Sequence, residues 1–290
     1  MGDHSRFAVF ILTHGRPDNQ RTVRALTKNG YTGPIYWLID TDDTEADAYR
    51  DLYGDRVIVF DKAAEAERFD TMDLSTDRRT IVYARNASQR IAREMGLDYI
   101  LQLDDDYNYF AHRFIHPDTG ALSYAYIQSF DALSEAMLTF LDDTGAATVA
   151  LAQGGDYMGG APSFRKKAIM RKAMNSFWID LTRPVPFRGR VNEDVNTYVG
   201  EGATGSVFLT VGRVGLEQPD TQSSEGGMTG SYRDAGTYVK SFYTVMVAPS
   251  CVTISLMGET SKRFHHKIRW DHAVPKIIGP HHRKAATHGE

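Results

Sequence analysis

Three consecutive carboxylates, Asp104-Asp105-Asp106, follow directly on the run Tyr99-Ile100-Leu101-Gln102-Leu103. The run is short, apolar and rich in β-favouring residues, so it predicts a buried strand with the carboxylates at its C-terminal end. That is where an open α/β sheet builds its ligand site. Alternate residues there aim the same way, so Asp104 and Asp106 could share a divalent cation. Hard oxygen donors suit Mg²⁺ or Mn²⁺, which also hold substrate phosphates. The competing reading is a solvated acidic turn. A second acidic pair, Glu193-Asp194, follows Asn192, which could cap a helix whose first turn places both carboxylates at the positive end of its dipole.

These residues need a scaffold, and 290 residues with 42% hydrophobic content supply one large domain or one and a half. No apolar run approaches the roughly 20 residues of a membrane span, and Met1 to Arg6 is short and polar for a signal peptide, which makes a cytoplasmic location the expectation. Cys251 is the single cysteine, which excludes an internal disulfide and a multi-cysteine zinc site. The net charge of −4 gives no global basic field, but its distribution is uneven. Acidic residues dominate Asp40 to Asp77. Arg165, Lys166, Lys167, Arg171 and Lys172 form one basic cluster, and Lys262, Arg263, Lys267, Arg269, Lys276, Arg283 and Lys284 another. Each is either a solvated face or a polyanion contact.

Phe7 to Leu12 reads as a strand, Thr13 to Pro17 as a polar loop and Asp18 to Asn29 as a helix, so Thr13, Arg16 and backbone N–H groups are available to an anionic or nucleotide ligand. Ile35 to Ile39 is a second strand ending at Asp40, which could accept a hydrogen bond from a base or simply begin an acidic loop. Thr44 to Tyr53 reads as a helix and Arg56 to Phe60 as a third strand. The βαβαβ alternation implies a parallel sheet with Thr13, Asp40 and Asp104 along one edge. Thr80 to Met95 is a helix with Arg85 and Asn86 near its start, off the apolar stripe, where they could reach a nucleotide. Further on, His112 to Tyr126 is loop-like, Phe130 to Leu141 helical and Thr148 to Leu151 a strand. Gln153 to Pro162 is glycine-rich and irregular, a lid, an acceptor-facing loop or a plain connector. Ser176 to Leu181 and Val252 to Leu256 are strands, Gln218 to Gly230 a loop and Tyr238 to Ala248 a helix.

Tyr83-Ala84-Arg85-Asn86, a helix, then a strand ending in Asp104-Asp105-Asp106 resembles the core of nucleotide-sugar-dependent glycosyltransferases of the GT-A fold. The resemblance covers about the first 110 residues and implies an α/β, Rossmann-like, mostly parallel central sheet with helices on both faces. Residues 1–110 would form the nucleotide-sugar half and 111–290 the acceptor-binding and catalytic half of the same domain. It implies that Thr13, Arg16, Asp40, Arg85, Asn86, Asp104 and Asp105 surround a nucleoside diphosphate sugar, a UDP-sugar by preference, and that Asp104 and Asp106 hold Mn²⁺ or Mg²⁺. It also implies a general base from an acidic pair, Asp194 first and Glu193 second, and a C-terminal histidine, His265 or His266, joining the cation. The expected reaction is displacement at the anomeric carbon with inversion.

A narrower resemblance joins Phe7 to Arg16, the aspartate triplet and Asn192-Glu193-Asp194 to the TET/JBP-associated glycosyltransferases, largely phage enzymes that glycosylate 5-hydroxymethylpyrimidines in DNA. It implies double-stranded DNA carrying 5-hydroxymethylcytosine or 5-hydroxymethyluracil as acceptor. Arg165, Lys166, Lys167, Trp178, Arg188, Lys262, Arg263, Lys267, Arg269 and Trp270 would then form the DNA face. Rival readings are a polysaccharide or small-molecule acceptor, a metal-dependent nuclease and a non-catalytic nucleotide- or DNA-binding module.

Overall fold

The structure, a computed structural model, describes residues 2–165, 174–218, 229–257 and 262–273, with side chains left out for 229–237. The opening run Phe7–Leu12 (β1) is apolar on both faces because it lies in the middle of a sheet covered on both sides. Period-two alternation sends Val9 and Ile11 into one core with Leu26, Trp37, Tyr49, Leu101 and Trp178. Ala8, Phe10 and Leu12 enter the other, with Val82, Ala87, Phe177 and Phe187. Each large apolar side chain so buried contributes roughly 1.5–3 kcal/mol.

Helix α1 (Arg21–Lys28) leads to β2 (Ile35–Asp40), α2 (Ala46–Tyr53), β3 (Val57–Phe60), α3 (Lys62–Ala66), α4 (Val82–Glu94) and β4 (Tyr99–Asp104). The hairpin β5 (Tyr109–Ile115) and β6 (Leu122–Tyr126) follows, then α5 (Phe130–Thr144), β7 (Thr148–Ala152), α6 (Gly160–Arg165), β8 (Ser176–Asp180), α7 (Glu193–Gly202) and β9 (Phe208–Glu217). Helix α8 (Thr229–Val247) packs against a small antiparallel pair, β10 (Val252–Met257) and β11 (Arg263–Ile268).

The nine-stranded sheet has the order β3-β2-β1-β4-β8-β7-β9-β5-β6. Strands β3, β2, β1 and β4 run parallel, so Thr13, Asp40 and Asp104 emerge along one edge. Beyond β4 the sheet is mixed, with β8 antiparallel to β4 and to β7, and β7 parallel to β9.

Three stretches differ from the sequence expectation. The loop-like segment from His112 is a β-hairpin whose edge strand β6 is mostly exposed, so its sequence lacks the apolar alternation of an inner strand. The glycine-rich segment after Gln153 forms a 3₁₀ turn over Gly154–Tyr157 and then α6. A reciprocal cap starts it, Asp156 accepting from the Gln153 backbone N–H. Strand β9 emerges from a stretch for which no element was expected. The loop from Gln218 to Gly230 lies largely outside the described residues. No helix among the described residues is long and apolar enough to cross a membrane.

Candidate active site

The turn after β4 is held by α1. The Thr22 hydroxyl donates to the Asp104 carbonyl at 2.5 Å and accepts from the Tyr107 N–H at 2.9 Å, while the Thr22 N–H donates to the Asp105 carbonyl at 3.1 Å. Tyr107, fully buried, donates from its hydroxyl to the Asn175 carbonyl and receives the Asp104 N–H at 3.3 Å. This rigid turn presents Asp104 and Asp106, both partly exposed, and folds Asp105 inward.

Asp105 accepts from the Thr13 hydroxyl at 2.5 Å and pairs with Arg16 at 3.2 Å. Thr13 also meets the Tyr49 hydroxyl at 2.8 Å and receives the Gln20 amide at 3.0 Å. Its hydroxyl is therefore occupied within the protein, and Thr13 and the buried Asp105 shape the loop. Arg16 stays one-third exposed.

Burial pushes the Asp104 carboxyl up to about 7, with Asp106, Glu193 and Asp105 adding to the rise and the Arg85 guanidinium opposing it. Burial likewise raises Asp105 to about 6 against Arg16 and Thr13, and raises Asp106 against Arg16. Hard oxygens crowded in this way fit a divalent cation, whose charge would relieve the repulsion.

Arg85 is fully buried, not an exposed helical arginine. Its Nε donates to Glu193 Oε1 at 3.0 Å and one Nη to Asp104 Oδ1 at 3.2 Å, while the guanidinium lies 5.0 Å from the Phe177 ring centre. Among the described residues its other Nη is buried without a hydrogen-bond partner. The same guanidinium thus joins the first acidic motif to the second. Burial, then Asp194, raises the Glu193 carboxyl, and Arg85 counters both.

Asn192 sits at the helix start but does not cap it. Its backbone is left-handed, φ 54°, and its amide donates to the Lys240 carbonyl at 2.6 Å and to Thr244 Oγ1 at 3.0 Å. The cap position is thereby used to fasten the Glu193-Asp194 turn to α8. Asp194 Oδ1 accepts from the Val195 N–H at 2.7 Å. Burial lowers the Lys240 ammonium, against the attraction of Asp194 and Glu193.

Asp40 is paired inside the fold as well, with Lys62 at 2.8 Å and His14 at 3.1 Å. Burial favours its neutral form, but hydrogen bonds from His14 and Lys62 win and hold it below the usual carboxylate range. Asn86 is engaged by the chain itself, at the wall of a cavity of about 550 Å³ that it shares with Phe69, Gln89 and Phe187. Its amide donates to the Phe187 carbonyl at 2.9 Å and accepts the Phe187 N–H at 3.0 Å, which fixes the Pro184 to Arg188 loop.

The expected DNA face divides. Trp178 is fully buried on β8 and stacks on Phe130, so it offers no surface to DNA. Trp270 stacks on Tyr198 and packs against the second core. Lys262, Arg263, Lys267 and Arg269 are exposed on and beside β11, Arg165 ends α6, and Arg188 is exposed and pairs with Glu201 at 3.0 Å. Lys166 and Lys167 lie outside the described residues.

His265 and His266 are adjacent on β11, with His265 Nδ1 against the His266 carbonyl at 2.7 Å. No group of three His, Cys, Asp or Glu side chains among the described residues is placed to hold a metal, so neither histidine completes a set with Asp104 and Asp106. Strand pairing ties His265 and His266 to the small β10–β11 sheet, which packs against α8. Sequence reading missed His14, Tyr49, Lys62 and Tyr107. The available signals were His14 next to Thr13 and Tyr107 directly after the triplet.

A family model described as TET-Associated Glycosyltransferase matches residues 7–227. No match is found among curated protein sequences. Among solved structures, glucosyl-3-phosphoglycerate synthase from Mycobacterium tuberculosis in complex with Mn²⁺, UDP and phosphoglyceric acid is similar at TM-score 0.45 and 10% identity, over 90% of this chain and 86% of that one. The same enzyme with Mn²⁺ and UDP-glucose gives TM-score 0.44 and 9% identity over 94% and 88%. TarS 1–349 from S. aureus gives 0.40 and 12% over 75% and 61%.

Proposed function

The chain belongs to the TET-associated glycosyltransferase family, and on that premise we propose that it moves a sugar from a nucleoside diphosphate sugar, a UDP-sugar, to the hydroxymethyl group of a modified pyrimidine in DNA. The observation that carries the reading is the buried bridge from Asp104 through Arg85 to Glu193, which sets two acidic motifs of a glycosyltransferase around one site at the carboxyl edge of the sheet.

Asp104 and Asp106 would hold Mn²⁺ or Mg²⁺, an ion that supplies positive charge to a leaving diphosphate. Arg16, one-third exposed beside the aspartate turn, contributes a further cation for the diphosphate. The His14–Asp40–Lys62 cluster walls the adjacent edge, where a nucleoside would lie. Glu193 is committed to Arg85, which leaves Asp194 to take the proton from the acceptor hydroxyl, help worth roughly 10²- to 10⁴-fold. A carboxylate acting on the acceptor gives inversion at the anomeric carbon. The setting is a cytoplasm in which nucleotide sugars and phage DNA meet.

The test is the intact mass of oligonucleotides containing 5-hydroxymethylcytosine or 5-hydroxymethyluracil after incubation with the protein, Mn²⁺ and a panel of nucleotide sugars. A hexose- or pentose-sized gain that disappears in Asp106→Ala and in Asp194→Asn supports the assignment. Donor hydrolysis with no gain on any DNA would remove the DNA acceptor, and strand cleavage without donor would replace the reaction by a nuclease.

A further inference from the structure

Helix α1 carries Arg21, Arg24 and Lys28 at i, i+3 and i+7, on one face, and with Ala25 and Asn108 they line an open cleft of about 310 Å³. Among the described residues none of the three pairs with a carboxylate. Arg21 reaches Asn19 and Asn108 at 3.4 Å, and Arg24 reaches the Asp18 carbonyl at 3.5 Å and Asn19 at 3.3 Å. Unpaired like charges along one helix face repel one another, so the stripe costs stability unless something anionic lies on it.

Beside the stripe the edge hairpin presents three tyrosines. Tyr109 stacks on Tyr124 with ring centres 5.7 Å apart and planes 14° from parallel, and Tyr126 meets both edge-on. Tyr124 is 47% and Tyr126 43% exposed. The Lys28 ammonium stands 5.3 Å from the Tyr126 ring, and the Arg113 guanidinium 5.0 Å from that of Tyr124. The two features meet the reaction site at one end. Arg21 touches Asn108, two residues beyond Asp106, and Thr22 clamps the Asp104 turn.

We infer that the α1 stripe and the β5–β6 tyrosines together form a nucleic-acid surface, on which Arg21, Arg24 and Lys28 take consecutive phosphates while the tyrosines stack on unpaired bases. A cationic track with aromatic platforms is the chemistry of single-strand recognition. A carbohydrate would use the tyrosines and leave Arg24 and Lys28 without a counter-charge. The inference rests on the DNA acceptor proposed above and places it on a different face from β11: a strand laid along α1 would bring an extruded nucleotide to the Asp104 turn.

The experiment is fluorescence anisotropy of labelled single- and double-stranded oligonucleotides containing 5-hydroxymethylcytosine over a salt series, with donor hydrolysis followed in parallel. Arg24→Glu/Lys28→Glu should weaken single-strand binding at least tenfold and reduce the slope of log affinity against log salt by about 1.4, two phosphates at roughly 0.7 each. Tyr124→Ala/Tyr126→Ala should weaken it roughly tenfold with the slope unchanged, since stacking carries no counterion release. Donor hydrolysis should be unaltered in both. If the wild type binds DNA and these variants bind equally well while Arg263→Glu/Lys267→Glu does not, this surface is wrong and the DNA acceptor stands. If the wild type binds no DNA, or the tyrosine variant loses only an oligosaccharide ligand, the acceptor reading falls and this one with it.

Discussion

At Arg85 one guanidinium serves carboxylates 19 and 108 residues away in the chain, and it does so fully buried. Removing one member of a buried charge network strands the others, so Arg85→Met should cost roughly 3–5 kcal/mol in urea denaturation. Arg85→Lys, which keeps the charge and loses the fork, should fall between it and wild type. Equal destabilisation by both would mean that shape, not charge, is what the site needs. Asp194→Asn should behave in the opposite way, lowering kcat by roughly 10²- to 10⁴-fold with little change in melting temperature. His4 gives a pH test remote from this chemistry. Burial disfavours its charge, but hydrogen bonds to Asp142 and Glu135 outweigh that and raise it above the ordinary imidazole value of 6.5. A raised folded value means that its stabilisation is complete below pH 6.5 and is lost as pH rises through the folded value. Melting temperature should therefore drop a few degrees more between pH 6 and 9 in the wild type than in His4→Gln, an effect of about 1 kcal/mol.

Among the elements, α7 begins where a side chain usually caps a helix, yet Asn192 spends its amide on α8 and its backbone on a left-handed turn. Asn192→Gly keeps the turn and loses the two bonds, whereas Asn192→Ala loses both and adds strain of roughly 1–2 kcal/mol. The alanine variant should melt below the glycine variant, and both should lose turnover through a displaced Asp194; identical melting of the two would remove the argument from backbone conformation. Such features were not legible in the sequence, because Asn192 before Glu193-Asp194 has the spelling of an ordinary cap and its true partner lies 48 residues on. The inner strands β1, β2 and β4 were legible as apolar runs, and with them the edge that carries Asp40 and Asp104. The β5–β6 hairpin was not, since Tyr109 to Tyr126 mixes tyrosine, histidine and arginine as an exposed edge does. Trp178 misled for the converse reason. Its basic and aromatic neighbours in sequence suggested a surface, while pairing with Leu101 and Val149 puts it in the middle of the sheet.

For the whole molecule the question is how the proposed donor half, residues 1–110, and acceptor half, 111–290, hold a common geometry. Strand β8 from the second half lies directly against β4 from the first, and the core around Val9 and Leu101 continues through Phe130, Val149 and Leu216. The Arg85–Glu193 and Arg190–Asp73 pairs, at 3.0 and 2.8 Å, cross the same division from the other face. A halves-first unfolding would have to break an inner strand pairing and strand these charges at once, so the halves should unfold together. Trp37 on β2, Trp178 on β8 and Trp270 beyond β11 sample three places along the chain. Urea unfolding followed by tryptophan fluorescence in variants that keep one of the three at a time should give coincident midpoints for Trp37 and Trp178, matching far-UV circular dichroism. Trp270, held by Tyr198 outside the nine-stranded sheet, is the probe free to depart first. An early loss confined to Trp270 would show the β10–β11 pair opening on its own. Separate midpoints for Trp37 and Trp178 would mean that donor and acceptor sides are independent units, and that the Arg85 bridge forms only when they close.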